Sequence, residues 1–268
     1  MNDSMLSTRV ISGIVLVAIA LIALLLGGDV LYFLMLFVSL NGLYEVYSAL
    51  KSDTDAAGTP IMAYCGYLST VFYYVCIRQN ADKYGLLAMI VVLLACLCAY
   101  VFAYPRITIA EVVVSYFGFA YVPVMLSFFY LTRMLPKGNV YVWLILASSW
   151  GCDTCAYFAG QKFGEHHMTP QLSPKKTWEG AAGGLIGAGI LGMILSLLTG
   201  GKVMFTGLIC ILGAAASMIG DLAASAIKRN QGIKDFSDLI PGHGGIMDRM
   251  DSMIFVAPII YFFVKLFA

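Results

Sequence analysis

Apolar residues in this chain come in long runs separated by short polar breaks, and the runs set the architecture. Nine can be drawn, at 10–26, 30–50, 61–77, 85–104, 109–131, 140–159, 180–198, 203–227 and 250–267. Each comes near the roughly 20 residues a helix needs to cross a bilayer. Backbone in lipid must satisfy its own hydrogen bonds, and the runs lack the alternation of barrel strands, so helices remain. The pattern predicts an all-α, polytopic integral membrane protein with about nine transmembrane helices. The first run follows Arg9, is long for a signal-peptide core and ends in Gly27-Gly28-Asp29 without a small-x-small cleavage pattern, so it reads as a retained span.

Polar residues are distributed unevenly. Residues 1–139 hold about five of the expected helices and few charges within them, and read as a transmembrane scaffold with lipid contact. Residues 140–268 hold the other four and most of the candidate chemistry, placed on cytoplasmic loops. Glu45 lies away from the middle of the second run and near Lys51, so it reads as a boundary residue in preference to a buried functional carboxylate. Aromatics at 64–74 and 116–130 read as helix packing or interface anchors. No internal repeat or low-complexity stretch is evident.

Composition adds little beyond excluding alternatives. The chain is 60% hydrophobic and 12% charged, against about 25% charged in a soluble protein. A net charge of +1 without an extended basic surface excludes a nucleic-acid partner. The cationic residues set an orientation. Arg9, Lys51, Arg106, Lys162, Lys175, Lys176, Lys228, Arg229, Lys234 and Arg249 fall on the N-terminal side, and the other six Lys and Arg on the opposite side, which predicts a cytoplasmic N-terminus. Most cysteines lie in apolar runs and act as small hydrophobes. Cys152 and Cys155 have C-x-x-C spacing, but no second pair completes a metal or redox site, so they read as helix-packing residues.

Three polar constellations remain. In the first, Asp153 sits inside an apolar run with Tyr157 one helical turn further on the same face. An intramembrane aspartate is a functional candidate by default, with structural hydrogen bonding as the alternative. His166 and His167 follow and read as solvated. The second is Ser173-Pro174-Lys175-Lys176-Thr177-Trp178-Glu179-Gly180. Here Ser173 is a candidate N-cap and Pro174 an early helical position, so the helix start and two lysines would receive an anion. A positive flank anchoring the next helix explains the lysines equally well.

The third constellation spans two helices. Asp221, Ser225 and Lys228 share a helical stripe, and Asp248 and Asp251 are one turn apart on the last segment. Between them lie Arg229, Lys234, Asp235, His243, Gly244 and Gly245. Two carboxylate-bearing helices around a glycine-rich loop form a plausible Mg²⁺ clamp, since that ion takes a few carboxylates plus substrate phosphates. Glycines permit close backbone approach to phosphate. Interhelical ion pairing, as of Asp221 with Lys228 or Arg249, is the alternative.

The spacing S-x-apolar-K-R, K-D and H-G-G-apolar-x-D-R-apolar-D, met at Ser225, Lys228, Arg229, Lys234, Asp235, His243, Gly244, Gly245, Asp248, Arg249 and Asp251, resembles the phosphatidate cytidylyltransferase (CDP-diacylglycerol synthase) family. The segments 153–160 and 173–180 resemble it too. The specific resemblance covers roughly residues 150–252. It implies Mg-dependent attack of the phosphatidate phosphate on the α-phosphorus of CTP, giving CDP-diacylglycerol and pyrophosphate for phospholipid biosynthesis. The implied partners are CTP, phosphatidate and membrane lipid in a bacterial inner membrane, with a homodimer left open. On this reading Asp221, Lys228, Asp248 and Arg249 are catalytic. Asp221, Asp248, Asp251 and Asp153 are candidates for one or two Mg²⁺ ions, a monovalent cation being left open. Ser173, Lys175, Lys176, Thr177, Ser225, Arg229, Lys234, Asp235, His243, Gly244, Gly245 and Tyr157 line the substrates.

Two other functional classes fit the sequence less well. A transporter would use Asp153 and Asp221 as an ion path, but no inverted repeat is visible and the polar residues gather on one side. A CDP-alcohol phosphotransferase would require a D-G-x-x-A-R motif that is missing.

Overall fold

A computed structural model describes residues 3–50, 60–242 and 244–267. Lys51 and His243, named above, lie outside the described residues, as does the side chain of Arg9. Ten α-helices follow in order: α1 (Asp3–Leu26), α2 (Gly28–Leu50), α3 (Pro60–Phe102), α4 (Ile109–Phe119), α5 (Met125–Met134), α6 (Gly138–Leu146), α7 (Cys152–Phe163), α8 (Trp178–Thr199), α9 (Val203–Asn230) and α10 (Met247–Phe267). A two-stranded antiparallel hairpin, β1 (His167–Thr169) and β2 (Ser173–Thr177), precedes α8. The architecture is that of an all-α polytopic membrane protein.

Six helical stretches among the described residues are long and apolar enough to cross a membrane, with a shorter apolar stretch at Ile11–Leu26. The expected count of nine is therefore not confirmed, for two reasons. The runs at 61–77 and 85–104 join in α3, whose 43 residues would make a straight rod of roughly 65 Å, about twice the hydrocarbon thickness. Non-helical backbone at Asn80 (φ −166°, ψ 103°) divides it, and Asn80 Oδ1 accepts the amide of Lys83 at 3.0 Å to start the second half. The run at 140–159 forms α6 and α7 with a π turn at Ala147–Gly151 between them, and it is not among the six stretches.

A second π turn, Ala120–Val124, joins α4 to α5 and contains Pro123. Proline has no N–H to give the α-helical ladder, so the local widening has an identifiable cause. The core packs aromatic and aliphatic side chains from α2, α3, α4, α5 and α10, with Tyr74 and Phe119 fully buried. Small residues bring α7 and α8 together. A Cβ on Gly184 would sit 2.9 Å from the Cys152 sulfur, and one on Gly180 would sit 2.9 Å from the Ala156 carbonyl oxygen. Cys152 and Cys155 are free thiols at this interface, in keeping with their reading as packing residues.

Two ion pairs lie where α2 begins, α3 bends and α10 ends. Arg78 and Asp29 pair at 2.6 Å, and Lys265 pairs with Asp82. The start of α10, the end of α9 and the hairpin lie together at the other end, where the remaining polar residues converge.

Candidate active site

The start of α10 is organised by Asp248. Its Oδ1 accepts from Lys228 Nζ at 2.7 Å, and its Oδ2 accepts the backbone amides of Phe236 at 2.8 Å and Gly245 at 2.9 Å. Both side chains are buried, so the pair is shielded from screening and fixes the loop between α9 and α10. Lys228 also lies over the Phe236 ring, 5.4 Å from its centroid. The ion-pair alternative is thus realised, but with other partners than Asp221 with Lys228 or Arg249.

Asp221 faces the hairpin instead. Its Oδ2 lies 2.5 Å from Lys176 Nζ, and its Oδ1 is 3.4 Å from the Ser225 hydroxyl one turn later. The stripe of Asp221, Ser225 and Lys228 is therefore present on α9, with each cation contact coming from a different element. Asp153 on α7 and Asp251 on α10 line one cavity, and Asp221 on α9 is near enough to act on both electrostatically. Asp251 Oδ1 accepts the amide of Ser252 at 2.8 Å, while Asp153 carries no hydrogen bond among the described residues.

Helix α8 begins differently from expectation. Ser173 and Pro174 lie in β2, and the N-cap is Thr177, whose hydroxyl accepts the amide of Gly180 at 3.1 Å. A strand forms because β1 pairs with it, with His167 opposite Thr177 and Thr169 opposite Ser173. A two-stranded ribbon is all edge, which tolerates proline. The correction changes how the lysines are presented: they sit on adjacent positions of a strand, so Lys176 turns to Asp221 while Lys175 is exposed. His166 is exposed, as expected, and its Nδ1 lies 2.6 Å from Glu179 Oε1, tying the hairpin to α8.

The glycines of the loop serve carboxylates. Gly244 has φ +79°, and a Cβ there would lie 2.9 Å from Asp248 Oδ2. A Cβ on Gly245 would lie 2.5 Å from Glu45 Oε2. Glu45 itself is the main correction. It is 1% exposed, not a boundary residue, and accepts Ser237 Oγ at 2.6 Å, the Ile246 amide at 3.0 Å and the Met247 amide at 2.8 Å. An acid within an apolar run was the available signal, but its partners are a hydroxyl and two backbone amides some 200 residues away and leave no trace in composition.

Several named residues are exposed around this centre. Arg229 is exposed and donates to the Ile233 carbonyl at 2.9 Å, closing the end of α9. Lys234 and Asp235 are exposed on the loop. Tyr157 is exposed and meets Phe158 edge-on.

Beside the carboxylates opens a cavity of about 450 Å³. One side is apolar and built by α1 and α2, including Leu16, Ala20, Leu34 and Phe37. The other end carries Asp153, Asp248, Arg249 and Asp251. The arrangement suits a molecule with a long apolar part and an anionic head that meets cations or metal.

Among the described residues, no three His, Cys, Asp or Glu side chains converge closely enough to form a metal cage by themselves. What is present is a set of hard carboxylate oxygens next to a ligand-sized space. That donor chemistry fits Mg²⁺ in the mode where one or two carboxylates and substrate phosphates share the ion.

The model of the Cytidylyltransferase family matches residues 7–267. The chain belongs to that family. It is 36% identical over 151 residues to a phosphatidate cytidylyltransferase of Bacillus subtilis, covering 55% of this chain and 56% of the relative. It is 42% identical over 134 residues to that of Haemophilus influenzae, covering 47% and 46%. A third relative of the same name, from Thermotoga maritima, is 38% identical over 153 residues, covering 54% and 56%. The chain spans about half the length of the curated relatives it matches.

Proposed function

We propose that this protein is a phosphatidate cytidylyltransferase that makes CDP-diacylglycerol and pyrophosphate from CTP and phosphatidate. The observation that carries the reading is the two-sided cavity, apolar along α1 and α2 and charged at the starts of α7 and α10. The names of its relatives agree with it. Acyl chains would lie along the apolar wall, entering sideways from the bilayer, with the lipid phosphate at Arg249 and the carboxylate cluster.

An oxygen of the lipid phosphate attacks the α-phosphorus of CTP. The new P–O bond forms as the bond to the β-phosphate oxygen breaks, and pyrophosphate leaves. The lipid phosphate is already a nucleophile, so no base is required. Bringing two anions together is the main obstacle, and positioning with charge neutralisation supplies most of the rate. Lys175, Lys176 and Arg249 bind phosphates, while Lys228 holds Asp248 in place. Asp221 and Asp248, with Asp251 and Asp153 beside them, would hold Mg²⁺, which when bound offsets phosphate charge and stabilises the leaving oxygen. The loops at 161–179 and 228–249 would face the cytoplasm of a bacterial inner membrane, where CTP is available.

Purified protein in lipid, given phosphatidate, Mg²⁺ and labelled CTP, should form labelled CDP-diacylglycerol. No product from well-folded protein would remove the proposal.

A further inference from the structure

Glu45 has no place in the reaction just described, yet it is a fully buried acid in the first half of the chain. It reaches α10 because α2 runs close to it. Gly42, one turn earlier, faces the Met247 side chain, where a Cβ would sit 3.2 Å from the sulfur. From there both carboxylate oxygens are used. Oε1 accepts from Ser237 Oγ at 2.6 Å and the Ile246 amide at 3.0 Å, and Oε2 accepts the Met247 amide at 2.8 Å. Ion pairs among the described residues do not include Glu45. Its partners are the loop and the first amides of α10, which a helix otherwise leaves without acceptors.

The contacts of Glu45 interleave with those of Asp248. Asp248 takes the amides of Phe236 and Gly245, and Glu45 takes the neighbouring Ser237 hydroxyl and the amides of Ile246 and Met247. Two carboxylates from different helices therefore grip the same loop from two sides. Gly245 is the residue that lets them close on it, since a Cβ there would lie 2.5 Å from Glu45 Oε2. The residue after Met247 is Asp248 and the next is Arg249, so whatever fixes these amides also fixes the Asp248 carboxylate and the backbone that carries Arg249.

We propose that Glu45 is a positioning residue, a carboxylate clamp from α2 that sets the start of α10 for binding the substrate phosphates. The inference rests on the function proposed above. It also means that the first half of the chain is more than lipid-facing scaffold: it reaches the site through one side chain. Glu45 touches neither substrate. Its effect passes through Met247 to Asp248 and Arg249, and the acyl wall of the cavity does not depend on it.

The test uses the full chain in lipid, with Glu45→Gln and the milder Ser237→Ala. Losing a buried hydrogen bond to a charged group is worth roughly 10- to 100-fold in an equilibrium constant. Glu45→Gln should raise the KM for CTP by a factor in that range, and the KM for phosphatidate, whose phosphate is placed at Arg249, should rise with it. A smaller folded fraction would lower the apparent kcat and move neither KM. Ser237→Ala should move the KM for CTP in the same direction by less, and the double variant should fall short of the product of the two, since they share one contact. Unchanged KM for CTP in both single variants would overturn the clamp. Where Glu45→Gln does not fold, Ser237→Ala decides on the same criterion. Hydrogen exchange gives a reading that needs no turnover: amides of 236–247 should exchange faster in Glu45→Gln, with α3 unchanged. Equal exchange in that segment overturns the clamp even if the protein proves to use other substrates. Inactive wild type with the expected exchange pattern would instead overturn the function and leave the clamp standing.

Discussion

Lys176 Nζ lies 2.5 Å from Asp221 Oδ2, and this contact joins the hairpin before α8 to the middle of the site. The two side chains come from elements 45 positions apart and are each about a quarter exposed (25% and 29%). A partly exposed pair of this kind contributes only ~0–1 kcal/mol of stability, so its position is better explained by chemistry. The lysine is held next to a carboxylate proposed to bind metal, within reach of a phosphate arriving there.

Lys176→Ala should therefore cost catalysis more than stability. A charged hydrogen bond to phosphate is worth about 1.5–3 kcal/mol, so kcat/KM should fall roughly 10- to 100-fold, with little change in the thermal midpoint. Steady-state rates and a melting curve in the same detergent check this. A large loss of stability with normal activity per folded molecule would show that the pair is only a strut.

The buried pair of Lys228 and Asp248 predicts the opposite balance. Lys228→Met leaves the carboxylate buried without its cation, which costs about 3–5 kcal/mol. Combining it with Asp248→Leu removes both charges and should recover much of that stability, because paired apolar replacements of buried ion pairs are often neutral or better. Activity should not return in the double variant. Denaturation midpoints and product formation, measured on the same samples, separate the two effects.

The apolar wall of the cavity predicts a substrate-selective change. Ala20 on α1 lines that wall. Ala20→Trp fills part of the space and should raise the KM for phosphatidate by at least roughly tenfold, the scale on which hydrophobic pockets discriminate. The KM for CTP should not move. Equal changes in both would mean that the cavity is not the lipid site.

Much of this arrangement was legible in the sequence, through periodicity. Apolar runs located the helices, and positions 221, 225 and 228 on one stripe, with 248 and 251 one turn apart, placed the polar side chains on facing helices. What escaped depended on tertiary partners. Ser173-Pro174 carries the residue types of a helix start, yet Thr177 offers the same capping chemistry four residues on, and pairing with β1 decided between them. The count of nine crossings is not confirmed: six described stretches qualify, and α3 holds two of the expected runs on either side of a kink. Glu45 was misread because neighbouring residues show that an acid sits near a helix end, while only the fold shows that two backbone amides and a hydroxyl meet it there.

The central claim is that the carboxylates and cations at the α9–α10 junction transfer a cytidylyl group to a lipid phosphate. It is tested most directly by incubating the lipid-reconstituted protein with phosphatidate, Mg²⁺ and CTP labelled in the cytidine, and following label into the lipid phase. The account predicts labelled CDP-diacylglycerol with wild type, matched by pyrophosphate released, and no product with folded Asp248→Asn. Product formation by Asp248→Asn at the wild-type rate, or none by folded wild type, would contradict it.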